Sequence, residues 1–100
     1  MTKLIALYKE PADRELFEQK YFEEHMPLVD KMPGLRKVEL AKLQSLGGSE
    51  GKYYMQASMY FDDIDALNAS MGSPEGKVAA QNLMSFAKDI VTMMIGEVKE

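Results

Sequence analysis

The segments of this chain that read as β-strands carry apolar side chains on both of their sides. In residues 2–9, Leu4, Ala6 and Tyr8 point one way while Ile5 and Leu7 point the other. In residues 52–61, Tyr53, Met55, Ala57, Met59 and Phe61 share one side, with Tyr54 and Tyr60 opposite. In residues 90–98, Ile90, Thr92 and Met94 oppose Val91, Met93 and Ile95. A sheet with one face in water alternates apolar and polar residues instead. At about 25 cal/mol per Å² of apolar surface, leaving such a face wet is costly and invites aggregation. Both faces of this sheet therefore call for cover.

The rest of the chain offers cover for one face only. Pro11 stops the first strand, and Asp13 is placed to cap a helix with Glu15 in its first turn. Leu16, Phe17, Tyr21 and Leu28 follow helical spacing, while Arg14, Glu18, Gln19, Glu23 and Glu24 mark a wet face. Pro27 disfavours helical backbone at Met26, so the helix is expected to end near His25. Residues 35–46 and 52–61 read as a hairpin joined by Gly47-Gly48-Ser49-Glu50-Gly51. Asp62 and Asp63 open a short helix, 64–70, that Gly72 closes, and Ser73-Pro74-Glu75 starts another. Ala79, Leu83 and Phe86, with Ala80 and Met84 beside them, are the apolar face of that last helix. The order β-α-β-β-α(α)-β predicts a single α+β domain over residues 1–100. It is ferredoxin-like, a four-stranded antiparallel sheet with its helices on one face. The simplest cover for the other face is a second copy packed sheet to sheet, which predicts a homodimer. The other reading leaves those side chains singly exposed, as many are on ordinary surfaces.

Composition narrows the chemistry. The 100 residues include no cysteine and one histidine, His25, which excludes disulfide scaffolds, cysteine–zinc sites and any site needing two imidazoles. Twelve basic against sixteen acidic residues give a net charge of −4, with no basic block. Nucleic acid and anionic membrane are thus not expected as partners. The opening run is too short for an export signal, and no stretch approaches the ~20 apolar residues of a membrane span, so a cytoplasmic location is expected. Asp62, Asp63 and Asp65 sit at a helix start and lack the spacing of a calcium loop, so no metal site is expected.

His25 is the candidate for proton transfer, because imidazole titrates near neutral pH. Phe17, Tyr21 and His25 lie four residues apart, on a face that also holds Leu28 and that should look toward the sheet. Burial favours the neutral imidazole and a helix C-terminus favours the cation. The alternative role is structural, with His25 bonding a carbonyl before the Pro27 bend. Tyr8, Tyr21, Tyr53, Tyr54 and Tyr60 could donate a phenol proton to a developing enolate, or merely pack. Met55, Met59, Met93 and Met94 could form a soft wall for a flat apolar ligand, or fill core and interface.

The run Phe17, Tyr21, His25, Pro27 and Leu28, written F-x3-Y-x3-H-x-P-L, resembles the first-helix motif of the EthD family. The likeness continues through Pro33-Gly34-Leu35, Phe61-Asp62 with Ile64-Asp65-Ala66-Leu67, and Ser73-Pro74-Glu75-Gly76 leading to Phe86-Ala87. These markers span nearly the whole chain in order. The resemblance implies the dimeric α+β barrel fold and a histidine facing a cleft. The family takes its name from a protein required in bacterial degradation of ethyl tert-butyl ether. Related barrels include cofactor-free isomerases, cyclases, quinol-forming monooxygenases and haem-degrading enzymes. The haem-degrading relatives use a tryptophan, and this chain has none. With one histidine, any acid partner must be a tyrosine or a carboxylate.

The resemblance assigns no reaction. A lone histidine aligned with aromatic side chains on a buried helix face leads to the expectation of a cofactor-independent isomerase, cyclase or lyase acting on an apolar or aromatic carbonyl compound held between sheet and helices. His25 and Tyr21 are its expected catalytic residues, and Phe17, Leu28, Tyr8, Tyr60 and Phe86 its expected ligand contacts. Two alternatives stay open: a non-catalytic ligand-binding or stress-associated dimer, and a cofactor-free monooxygenase of the ether-degradation type.

Overall fold

The computed structural model describes residues 1–44, 46 and 52–99. Its elements are β1 (Thr2–Tyr8), α1 (Arg14–Lys20), a π-helical turn (Tyr21–His25), α2 (Met26–Val29), β2 (Lys37–Lys42), β3 (Met55–Phe61), α3 (Ile64–Gly72), α4 (Pro74–Ala87) and β4 (Val91–Glu97). The sheet order is β2-β3-β1-β4 and every neighbouring pair is antiparallel. This is the expected α+β ferredoxin-like fold. The expected glycine-rich hairpin turn lies outside the described residues, and the strand expected over 35–46 is regular only from Lys37 to Lys42.

Three helix starts form where short polar side chains take up orphan backbone donors. Asp13 accepts from the Leu16 amide at 3.1 Å, Asp63 from Ala66 at 2.8 Å and Ser73 from Gly76 at 3.0 Å. Among the described residues, no helix is long and apolar enough to cross a membrane.

Register assigns the two faces of the sheet. Leu4 pairs with Met59 and Ile95, Ala6 with Ala57 and Met93, and Tyr8 with Met55 and Val91, so these side chains share the helix-covered face. Leu4, Ala6 and Tyr8 alternate with half-buried Ile5 and Leu7, as the strand pattern predicts. The open face holds Ile5, Leu7 and Met94 at one end and Lys3, Lys37, Glu39 and Tyr60 at the other. Its apolar part is thus concentrated on β1 and β4. Tyr54 departs from expectation. It precedes the first paired residue of β3, so strand alternation does not bind it, and it is buried edge-to-face against Phe17 on the helix side.

The helix expected to end near His25 instead runs on to Val29. At the π turn the Met26 amide bonds the Tyr21 carbonyl, one residue further back than in an α-helix. Pro27 has no amide to donate, and its ring would press on the carbonyl four residues before it. The wider turn supplies the room, so the proline shifts the helix's register rather than ending it.

Candidate functional site

The π turn also governs which side chains face inward. Residues spaced by four drift about 40° per step around an α-helix. One wider turn counters that drift, and Phe17, Tyr21, His25 and Val29 are all buried on one line. Phe17 and Tyr21 stack with centroids 5.6 Å apart, and the Tyr21 and His25 rings follow at 5.2 Å. Phe86 from α4 closes edge-on over the imidazole at 6.4 Å, and Tyr8 from β1 meets both Phe17 and Tyr21 edge-on. His25 therefore ends an aromatic column.

Beyond that column lies a cavity of about 150 Å³ between sheet and helices. Leu4, Tyr8, Met59 and Met93 line it from the sheet, and His25 and Val29 from the first helix. Gly76, Ala79, Ala80, Leu83 and Met84 line it from α4, with Met32 and Met71 completing the wall. The two buried core clusters meet here, one centred on the aromatic column and the other on Leu4, Met59 and Phe61. Met84 and Met93 are partly exposed, so the cavity opens between α4 and β4. The unbranched thioethers make this mouth adaptable.

The polar groups at the cavity are few and tuned by burial. Burial pushes the His25 imidazole below its ordinary value, while the Asn82 amide beside it favours the cation. Neither His25 Nδ1 nor Asn82 Oδ1, both buried, reaches hydrogen-bond geometry with any described partner. Burial is the larger influence and favours the neutral imidazole. The Tyr8 hydroxyl donates to the Tyr21 hydroxyl at 3.4 Å, long for such a pair. Burial, and then Tyr21, push the Tyr8 phenol far up; burial raises Tyr21 as well, against the bond it accepts. Tyr8 spends its proton on Tyr21, which leaves the Tyr21 proton free to donate onward.

The structure brings together His25, Tyr21, Tyr8, Phe17 and Phe86, with His25 and Tyr8 lining the cavity itself. Leu28 and Tyr60 do not join them. Leu28 lies in a shallow surface groove with Lys31, Pro74, Glu75 and Val78, because the inward position after the π turn falls to Val29. Tyr60 stands on the open sheet face, where its hydroxyl donates to Glu39 at 3.2 Å and Lys3 and Lys37 flank its ring. Of the four methionines considered for a soft wall, Met59 and Met93 line the cavity, Met55 is core and Met94 is on the open face. Sequence reasoning passed over Asn82. Its signal was a polar residue on the inward spacing of α4, between Ala79 and Phe86. Among the described residues, no group of three His, Cys, Asp or Glu is placed to hold a metal ion.

Residues 9–89 match the EthD domain. An uncharacterized 11.0 kDa protein from the thcB-thcC intergenic region of Rhodococcus erythropolis is 33% identical over 94 residues, covering 94% of this chain and 91% of its own. The crystal structure of an ethyl tert-butyl ether d (EthD) family protein from Bacillus halodurans superposes with a TM-score of 0.95 at 40% identity, over 99% of each chain. More distant structures share the fold. A dimeric ferredoxin-like protein of unknown function from Jannaschia has a TM-score of 0.71 at 19% identity, over 98% of this chain and 100% of that one. The hydroxynitrile lyase of Passiflora edulis has a TM-score of 0.75 at 11% identity, over 99% of this chain and 94% of that one.

Proposed function

The chain belongs to the EthD family, and on that premise we propose that it is a small-molecule enzyme in which His25 moves a proton next to a carbonyl group. One observation carries the reading: a buried imidazole, which burial biases toward its neutral form, lines an otherwise apolar cavity open at one end. A neutral imidazole has one bare nitrogen, as a general base requires. It takes the hydrogen from the carbon beside the carbonyl. The C–H electron pair becomes the enolate double bond and negative charge gathers on the carbonyl oxygen. Low dielectric strengthens any donor aimed at that oxygen. Tyr21, whose own proton is not spent on Tyr8, supplies that donor. The imidazolium then returns the proton to a different atom, which completes an isomerisation, cyclisation or cleavage without a cofactor.

Size narrows the substrate. A cavity of about 150 Å³ holds a molecule on the scale of a benzene ring. The reading is therefore a compact apolar or aromatic carbonyl compound, with larger members admitted where the methionines at the mouth give way. The proposed assembly is a homodimer packed through the open sheet face, which the apolar patch of Ile5, Leu7 and Met94 supports.

Deuterium uptake from D2O at the carbon beside the carbonyl, followed by NMR over a panel of ring-sized ketones, tests the chemistry without knowledge of the natural substrate. Wild type should exchange at least one of them above the solvent rate, and His25→Gln should lose about 100-fold or more of that rate. Exchange undiminished in a folded His25→Gln protein would remove His25 from the reaction. Tight binding without any exchange would leave a ligand carrier instead.

A further inference from the structure

The described residues leave three buried side-chain atoms without a hydrogen-bond partner, and two of them, His25 Nδ1 and Asn82 Oδ1, belong to neighbouring residues of the candidate site. An unmade buried bond is costly, so two orphans side by side call for a reason. Asn82 is one helical turn before Phe86, which packs on the imidazole, and next to Leu83, which lines the cavity with His25. α4 thus presents an amide to the imidazole.

We propose that Asn82 is the positioning residue that selects the tautomer of His25, its Oδ1 receiving the Nδ1 proton so that Nε2 is left bare toward the cavity. The proposal rests on His25 acting as the base. A bare Nδ1 facing a carbonyl oxygen would set two acceptors against each other, whereas a protonated Nδ1 sets donor against acceptor. The buried Nδ1 is turned into the protein, so Nε2 is the nitrogen that can meet a substrate. The two atoms are not at hydrogen-bond geometry, and the bond closes when a ligand presses the imidazole toward α4, as catalytic contacts commonly tighten in the bound complex. Once Nε2 takes the substrate's proton, the imidazolium keeps Asn82 as its acceptor, in keeping with the pull toward the cation that Asn82 exerts. The other titratable groups about the ring are the phenols of Tyr21, on its own helix, and Tyr8, from β1, and burial keeps both protonated. Among the described residues, no charged side chain competes with the amide for the imidazole.

The single histidine makes the test direct, because one pair of imidazole nitrogen signals appears in the ¹⁵N spectrum of the whole protein. Wild type, saturated with an unreactive ring-sized hydrocarbon such as toluene, should show the proton on Nδ1. Asn82→Leu should move it toward Nε2 and slow ketone exchange by about tenfold, the scale of one hydrogen bond. Asn82→Asp keeps an acceptor in place, so it should hold the proton on Nδ1 and raise the titration midpoint, and it serves if the leucine variant does not fold. A proton on Nε2 in wild type would mean that the amide NH₂ donates to Nδ1, which overturns the proposal. Unchanged tautomer and midpoint in both variants overturns it equally. The tautomer is read without turnover, so failure of the exchange assay alone would count against the catalytic reading and not against this one.

Discussion

A Cβ on Gly76 would stand 2.1 Å from the carbonyl oxygen of Ser70. The end of α3 and the first turn of α4 therefore touch backbone to backbone. Ser73 fastens the same corner, its hydroxyl donating to the Ser70 carbonyl at 2.5 Å and accepting from the Gly76 amide at 3.0 Å. The run Ser73-Pro74-Glu75-Gly76 thus supplies in turn a cap, a first-turn proline, an acid at the positive helix end, and a contact that excludes a side chain.

Gly76→Ala should accordingly destabilise the protein by about 1–3 kcal/mol, the usual range for overpacking. The atom it meets is backbone, which cannot swing aside. Urea unfolding measures the loss. A midpoint equal to wild type would show that α3 and α4 separate freely, and with them the cavity wall that Gly76 helps to form.

The depressed His25 imidazole makes stability depend on pH with a definite sign. As pH falls, the unfolded chain takes up this proton before the folded chain does, so acid favours unfolding. The contribution is complete above the unfolded value of about 6.5 and drains away below it, toward the lower folded value. His25→Gln carries no such proton. Between about pH 7 and pH 5 the wild-type urea midpoint should fall more steeply than that of His25→Gln. Parallel slopes would mean that the folded imidazole titrates normally and is not desolvated.

How far the sequence carries this site can be judged at Phe17, Tyr21 and His25. Four-residue spacing placed them on one buried face, and they are buried together. The same spacing could not place the next residue, because the π turn ahead of Pro27 changes the phase of the helix by a hydrogen bond that no residue pattern displays. Leu28 was expected inward for that reason, and Val29 is found there. Tyr54 and Tyr60 show a second limit. Alternation assigns faces only within paired strand, and β3 begins one residue after Tyr54. Tyr60 does lie opposite Met59 as alternation requires, which removes it from a cavity on the Met59 side. Asn82 was illegible because one polar residue on an apolar face looks like noise until its neighbour is known.

The cavity predicts its own response to filling and emptying. Leu83 is buried against it, so Leu83→Ala should cost about 2–5 kcal/mol and enlarge the space. Part of that loss should return when a small apolar ring such as toluene is added, since binding to the folded state alone stabilises it by mass action. Ala80→Leu should do the reverse, occupying the space and abolishing any thermal shift by the same compound in an otherwise normal fold. A ring compound that shifts Ala80→Leu as much as wild type would be binding elsewhere.

The open sheet face supplies the remaining prediction. Leu7, on the inner strand β1, pairs across to Gln56 and Thr92 and lies on the same side as Ile5 and Met94. In a single chain it is half-buried and already meets water, so Leu7→Glu should leave the fold intact. Across a two-fold interface the same change buries two like charges, one from each copy, without counter-charges at that apolar end. Sedimentation should therefore report a dimer for wild type and half that mass for Leu7→Glu, with matching circular dichroism. Lys37→Gln, at the polar end of the same face, should leave the dimer largely in place. A wild-type mass of one chain would remove the sheet-to-sheet dimer, and a Leu7→Glu dimer would move the interface to another surface.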